Sequence, residues 1–336
     1  MLSLGLLLLL TPQVQIQASA PEVRPVRIAA SAFGRPAEIE VRDLPRETAR
    51  AAIQAALDEV SAVERLTRAD ASGGVGALNA VAGQGPQTVD PKLMPLLVRA
   101  QEFCLWSEGA HGPLGRDLYE IWGLRADRAA ATPDPERVEQ AAAMTRCEAL
   151  RLSPSKGTAE LAEGARLDLG GFAEGHAVDR AVEVLLQNGV ANGFVQIGTI
   201  QRAFGGGADG RGWKIVLPKF HGMDQPAGRF LLRDRAAAIL SIEEESLAFG
   251  DQILLPYLHQ RKGIPAQGVV GMAAVTDLAV DAQALAIAMA VTGPREGQLR
   301  LGSLRPNPSV LWFLGSGSGA PLQMDHRWGE VIAASR

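Results

Sequence analysis

The chain has 336 residues, 47% of them hydrophobic, with 33 Lys and Arg against 37 Asp and Glu and a formal net charge of -4. This apolar fraction excludes a disordered chain, and the length allows one large domain or two ordinary ones. The charge is nearly balanced and no cluster of Lys and Arg occurs, so we expect no nucleic-acid partner.

The first twenty residues have the pattern of a signal peptide. An apolar run over residues 2–10 is followed by the small residues Ala18-Ser19-Ala20. The run is too short to cross a bilayer but has the length of the hydrophobic region of a secretion signal. We therefore predict a signal peptide at 1–20, a periplasmic or secreted mature chain at 21–336, and no integral membrane span. A buried first strand is the alternative.

The first half of the chain is predicted to open with a hairpin, because apolar and polar residues alternate on both sides of Gly34-Arg35-Pro36. Apolar residues at helical spacing then predict an amphipathic helix, and Asp90-Pro91 is a start signal for a second one. The predicted elements are hairpin strands at 26–33 and 37–42, helices at 46–68 and 90–107, a Gly-rich loop at 71–85, an apolar segment at 118–124 and an exposed insertion at 128–135.

The second half mixes strands and helices without a regular βαβ period, which indicates an α+β fold rather than a doubly wound sheet. Its helix from 172 is the clearest in the chain, since one stripe is apolar and Asn188-Gly189 ends it. The predicted elements are strands at 149–152, 158–161, 194–197, 213–217, 229–232, 236–240, 269–275 and 310–314, and helices at 172–187 and 279–291.

Few residues carry an obvious chemistry on their own. Cys104 and Cys147 lack the spacing of a zinc site, and whether they form a disulfide stays open. The five histidines are far apart in sequence and match no metal-binding pattern. We interpret the acidic run Glu243-Glu244-Glu245 as solvated.

The densest cluster of special residues lies at 167–179, where a strand ends in Gly170-Gly171 and a helix begins. Free N–H groups at such a helix start can bind a phosphate or pyrophosphate. The alternative is a glycine turn that allows tight packing of strand against helix, and on these residues alone we favour it. No Lys or Ser/Thr follows the glycines, so the segment is not a Walker A loop.

The order of the sequence blocks resembles that of a known family. Asp168-Leu169-Gly170-Gly171-Phe172-Ala173-Glu174-Gly175-His176-Ala177-Val178-Asp179 resembles the D-L-G-G-x-A-K-G-Y-A-V-D block of the ApbE family, the FAD:protein FMN transferases. Ser107-Glu108-Gly109-Ala110-His111-Gly112-Pro113 is similar to its S-G-G-A-F-D-P block. Further blocks follow in the family's order at 78–80, 89–91, 195–198, 263–265 and 282–293.

The resemblance implies one α+β domain over 21–336, T-fold-like, with a mixed sheet and packed helices. It also implies a periplasmic protein that binds FAD with magnesium and transfers FMN to a Ser or Thr hydroxyl of a partner flavoprotein, releasing AMP. The positions implied at the flavin dinucleotide are Ala110, His111, Gly112, Asp168, Gly170, Gly171 and Glu174. Those implied at the metal are Gly171, Gln283 and Ile287.

The chain departs from the family pattern at positions that carry the chemistry. Gln283 and Ile287 stand where the family has an Asp and a Thr, although magnesium prefers hard, anionic oxygen ligands. Glu174 replaces a Lys, and Pro256 falls on the family's catalytic His, which leaves His259 as the candidate for a substitute base. We therefore expect an FMN transferase or, as the alternative, a non-catalytic protein that binds a flavin, another nucleotide or a partner.

Overall fold

The chain folds around one large sheet. A computed structural model describes residues 24–124, 133–315 and 319–333. Its strands are β1 (Val26–Ala32), β2 (Arg35–Val41), β3 (Gln87–Thr88), β4 (Leu150–Ser153), β5 (Thr158–Leu161), β6 (Gly193–Ile197), β7 (Ile200–Phe204), β8 (Trp213–Leu217), β9 (Gly228–Leu232), β10 (Arg235–Ser241), β11 (Leu247–Phe249), β12 (Gln252–Leu254), β13 (Leu258–His259), β14 (Ile264–Pro265), β15 (Val269–Thr276), β16 (Ser309–Leu314) and β17 (Leu322–His326). Its helices are α1 (Arg46–Thr67), α2 (Gly74–Ala80), α3 (Met94–Trp106), α4 (Arg116–Ile121), α5 (Pro135–Ala143), α6 (Ala173–Gln187), α7 (Ala279–Leu301) and α8 (Trp328–Ala333).

The central sheet has eight strands in the order β1-β2-β6-β7-β10-β15-β16-β17. Every pair of neighbouring strands in this sheet is antiparallel. Helices and strands alternate irregularly along the chain, while the sheet itself contains no parallel pair among its described strands. The predicted hairpin forms β1 and β2, with its turn at Phe33 and Gly34, whose φ angles are 55° and 72°. Positive φ at both turn residues is the type I′ geometry, which matches the twist of paired strands.

Helices cover one face of the sheet, which confirms the α+β class. Helix α1 packs against α6, α6 against α7, and α7 against β10 and β15. Ile53, Val178 and Leu285 of these helices are at most 1% exposed. On the opposite face the β8–β9 hairpin and α8 bury a second, aromatic cluster that contains Trp213, Phe230, Phe313 and Trp328.

The structure differs from the predicted elements in several places. The loop predicted at 71–85 contains α2, and α3 begins at Met94 because residues 90–93 form a turn in which Leu93 N–H donates to the Asp90 carbonyl. Helix α7 continues beyond residue 291, across a kink at Gly293, where φ is 72°. Further elements that the sequence did not predict are α5, β7, β17, α8 and the short strands β3, β11, β12, β13 and β14.

Two predictions concern residues that the structure leaves undescribed. The signal peptide at 1–20 and residues 128–132 of the predicted insertion lie outside the described ranges. Within 24–124, 133–315 and 319–333, no helix combines the length and the apolar character that a bilayer span requires.

Candidate functional site

The residues that the resemblance implies at the flavin meet where α6 begins. The Asp168 N–H donates to the Pro113 carbonyl at 2.7 Å, so the turn at 168–171 lies beside the loop at 107–113. Asp168 Oδ1 in turn accepts from the Gly170 N–H at 2.8 Å, and its Oδ2 lies 4.0 Å from Arg116 Nη1. This carboxylate, 7% exposed, therefore holds the turn that precedes α6.

Hydrogen bonds hold the loop at 107–113 from both sides. The Ser107 hydroxyl donates to the His111 carbonyl at 2.9 Å and accepts from the His111 N–H at 3.1 Å. From the other side, Gln260 donates its N–H to the Ala110 carbonyl at 3.0 Å and its Nε2 to the Gly112 carbonyl at 2.8 Å. Ala110, His111 and Gly112 therefore occupy a rigid segment, as binding residues require.

The His111 ring is buried between the loop and the turn. It is 2% exposed and stacks on Phe172, with ring centroids 4.7 Å apart. A β-carbon on Gly171 would lie 2.4 Å from His111 Cε1, so only glycine fits there. Burial lowers the pKa of His111 to about 4, although a hydrogen bond with the Gly171 backbone and the Asp168 charge oppose it. The imidazole is therefore neutral at neutral pH and acts as a packing group.

The positions implied at the metal also come together. Gln283 projects from the second turn of α7 and is 3% exposed. Its Nε2 donates to the Gly170 carbonyl at 3.2 Å and to Glu174 Oε2 at 2.7 Å, and its Oε1 accepts from the Gly175 N–H at 2.8 Å. Ile287, one turn further on, is 1% exposed, and its Cδ1 faces Gly171.

The start of α6 offers few N–H groups to an anion. The Ala173 N–H donates to the Leu169 carbonyl at 2.8 Å, and the Gly175 N–H to Gln283. A β-carbon on Gly175 would lie 2.5 Å from the Ala279 carbonyl oxygen, so this glycine lets α6 and α7 approach closely. The geometry agrees with the packing interpretation of the glycine turn.

Arg35 enters the site from the β1–β2 hairpin, and sequence analysis did not assign it to the site. Its Nε lies 2.7 Å from Glu174 Oε1, and its Nη2 contacts Glu245. Tyr257 donates its hydroxyl to Glu245 Oε2 at 2.9 Å. Glu245 is thus not the solvated residue that its acidic run suggested, because an arginine distant in sequence lies against it.

Asp179 is a second residue that sequence analysis did not assign to the site. Its carboxylate accepts from the Ala279 and Val280 N–H groups at 2.8 and 2.9 Å, and Arg202 Nη1 lies 2.7 Å away. Burial raises the pKa of Asp179 to about 6, although Arg202 and the two N–H groups favour the charged form. By capping α7 from α6, Asp179 sets the position of Gln283.

His259, the candidate substitute base, lies in β13 and is 4% exposed. Burial, followed by the charge of Lys262, lowers its pKa to about 4, and Glu296 opposes this. Its charged neighbours are therefore Lys262, in the loop after β13, and Glu296, in the C-terminal half of α7. Among the hydrogen bonds of the described residues, none joins His259 to Asp168, Glu174 or Gln283.

The two cysteines are joined in the structure. The Cys104–Cys147 disulfide links α3 to the short 3₁₀ turn before β4, with Cα atoms 5.8 Å apart. A β-carbon on Gly112 would lie 2.7 Å from Cys104 Sγ, so the disulfide supports the loop at 107–113. The structure therefore answers the question that the sequence left open: Cys104 and Cys147 form a disulfide.

A cleft of about 1240 Å³ borders the same loop at Glu108 and Gly109. Trp122 and Phe249 line it, with ring centroids 5.2 Å apart. Lys262 and its neighbour Arg261 add positive charge. Apolar and aromatic walls with a few polar groups are typical of small-molecule sites.

Comparisons with known proteins agree with this architecture. Among curated proteins, the chain is 38% identical over 130 residues to the FAD:protein FMN transferase of Treponema pallidum (strain Nichols), a match that covers 36% of this chain and 35% of that protein. It is 26% identical over 274 residues to the FAD:protein FMN transferase of Rhodobacter capsulatus, covering 79% of this chain and 51% of that protein. The chain thus spans about half or less of the length of these relatives.

Solved structures show the same fold. The ApbE protein of Thermotoga maritima superposes with a TM-score of 0.83 at 22% identity, covering 93% of this chain and 100% of that one. The flavinyl transferase ApbE of Pseudomonas stutzeri, in its apo form, gives 0.79 at 18% identity, covering 92% and 97%. A sequence model described as the ApbE family matches residues 33–311. The chain therefore belongs to the ApbE family.

Proposed function

We propose that the chain binds a flavin dinucleotide in the ApbE cleft and does not carry out magnesium-dependent FMN transfer. Binding is supported by the curated relatives, which are FAD:protein FMN transferases. It is also supported by the loop at 107–113, whose Glu108 and Gly109 border a cleft of about 1240 Å³. Ala110, His111 and Gly112 are buried and hold this loop in place. The turn at 168–171 lies beside that loop.

The residues at the implied metal position do not fit magnesium. Magnesium requires near-octahedral coordination by hard oxygens and is usually held by carboxylates. Ile287 has no ligand atom, and the one oxygen of the Gln283 side chain already accepts from the Gly175 N–H. Within the described ranges, no group of three or more His, Cys, Asp or Glu side chains is placed to hold a metal ion.

The observation that carries the proposal is the carboxamide of Gln283, which lies between Gly170 and Glu174 where the family has a metal-binding carboxylate. Two other positions agree with it. Pro256 has no group that could accept a proton, and Glu174 places a negative charge where the family has a Lys. The charge of Glu174 is paired with Arg35 Nε at 2.7 Å, so loss of the anionic ligand and of the base is what argues against turnover.

The competing function is the family's reaction, the transfer of FMN from FAD to a hydroxyl of a partner flavoprotein with release of AMP. A proton would then pass from that hydroxyl to a base, and His259, neutral because its pKa is about 4, is the candidate. Either function fits the proposed signal peptide at 1–20 and domain at 21–336, which would place the protein and its flavoprotein partner in the periplasm.

The test is a fluorescence titration of the purified chain with FAD, with and without magnesium, followed by an assay for released AMP. We expect binding that is indifferent to magnesium and no AMP. Gly112→Ala should weaken binding, because the new methyl group meets Cys104, whereas Gly302→Ala has open space and should not. Binding that requires magnesium, or AMP release, would contradict the proposal and favour the transferase.

A further inference from the structure

We infer that the side-chain amide of Gln283 takes the place of a divalent cation, holding the Gly170 carbonyl and the Glu174 carboxylate together without a metal. This inference rests on the proposed function, because it explains how the cleft keeps its shape when magnesium is not used. It adds a structural role that neither the fold nor the family name assigns to residue 283.

The hydrogen bonds of Gln283 match the capacity of a primary amide. Its nitrogen has two hydrogens, and two acceptors lie within reach: the Gly170 carbonyl at 3.2 Å and Glu174 Oε2 at 2.7 Å. Its oxygen accepts from the Gly175 N–H at 2.8 Å. The side chain is 3% exposed, so water does not compete for these partners. Every polar group of the amide is therefore used inside the protein.

The Gly170 carbonyl oxygen and Glu174 Oε2 both face the side chain of residue 283, so that side chain must present positive charge to them. The amide nitrogen supplies this with its two N–H dipoles. A carboxylate at residue 283 would instead add a second negative charge beside Glu174, whose other oxygen already pairs with Arg35 Nε at 2.7 Å, and would repel the Gly170 carbonyl unless a cation lay between them. The remaining space is apolar, since Ile287 packs beside Gly171 where a hydroxyl ligand would be needed. The amide and the isoleucine thus form a consistent metal-free pair.

The decisive variant is Gln283→Glu, which keeps the length of the side chain and replaces the NH₂ group with an oxygen. At pH 8 and without divalent cations, we expect its thermal midpoint to fall by about 5 °C, because two carboxylates then face each other. Added Mg²⁺ or Mn²⁺ should recover most of that loss, and Mn²⁺ should bind at one ion per chain by paramagnetic resonance. The wild-type midpoint should not respond to either ion.

The matched control is Gln260→Glu, which makes the same exchange at a glutamine 1% exposed whose Nε2 donates to the Gly112 carbonyl. This variant should lose stability without being rescued by Mg²⁺ or Mn²⁺. Equal rescue of both variants, or no rescue of Gln283→Glu, would overturn the inference.

Titration of the wild-type chain with Mn²⁺ tests the inference even if both variants fail to fold. One tightly bound ion per wild-type chain would overturn it, and no bound ion would support it. The same wild-type samples are titrated with FAD, which separates the two proposals. If the chain binds neither FAD nor Mn²⁺, the proposed function is refuted and the inference about Gln283 is supported.

Discussion

Breaking the Cys104–Cys147 disulfide should cost the protein a large share of its stability. The bond closes a loop over a sequence separation of 43 residues. The loop-closure relation for a loop of this length gives an entropy of about 13 cal/mol/K, which is about 4 kcal/mol of unfolding free energy at 25 °C. For a chain of this size, a change of that magnitude lowers the thermal midpoint by about 6 °C.

The assay compares urea unfolding of the oxidised wild type with that of the double variant Cys104→Ala, Cys147→Ala, followed by tryptophan fluorescence. The variant also removes Sγ from beneath Gly112, so its FAD affinity should fall as well. Wild type reduced in the denaturant provides the control that keeps both sulfur atoms. Equal unfolding midpoints for the oxidised and reduced forms, or two free thiols titrated in the native protein, would refute the reasoning.

Three further predictions concern the candidate site. Gly175→Ala should lower the unfolding free energy by about 2 kcal/mol because the new methyl group meets the α7 backbone, even though alanine normally favours a helix. The control Gly302→Ala has open space around the new methyl group and should leave urea unfolding unchanged. Since burial lowers the pKa of His111 to about 4, the unfolded chain binds more protons at this residue below pH 6.5. The contribution of His111 to the unfolding free energy should therefore fall by up to about 3 kcal/mol between pH 6.5 and pH 4. His111→Phe should reduce that slope in denaturation curves, and an unchanged slope would contradict this assignment. Glu174→Gln removes a negative charge beside the start of α6 and should tighten FAD binding about fivefold in a fluorescence titration, whereas weaker binding would show that the carboxylate contacts the ligand favourably.

Elements with a strong local pattern were predictable from the sequence. Helix α6 was found because its apolar residues repeat at helical spacing and Asn188-Gly189 stops it. Helix α5 was missed although Asp134 and Pro135 form a typical helix start, because the flanking Ala and Pro residues favoured an insertion. Helix α2 contains two glycines in seven residues, and its buried Val75 and Leu78 show that tertiary packing stabilises it.

The candidate site was predictable only in part. The resemblance pointed to the positions of Glu174 and Gln283, and the structure joins them by a hydrogen bond of 2.7 Å. No pattern within a window of sequence indicates that Arg35, the first residue of β2, lies against Glu174. Contacts between distant segments depend on the topology of the sheet, which local periodicity does not encode.

The position of β1 at an edge of the sheet has a consequence for association between chains. An edge strand exposes unpaired backbone groups to which a second chain can add. Here the hairpin carries charges: Glu40 of β2, 2% exposed, lies within 2.6 Å of both Arg27 of β1 and Arg42. The Arg27 side chain is 60% exposed, so a strand from another molecule that approached β1 would have to accommodate its charge, which disfavours edge-to-edge pairing of folded chains.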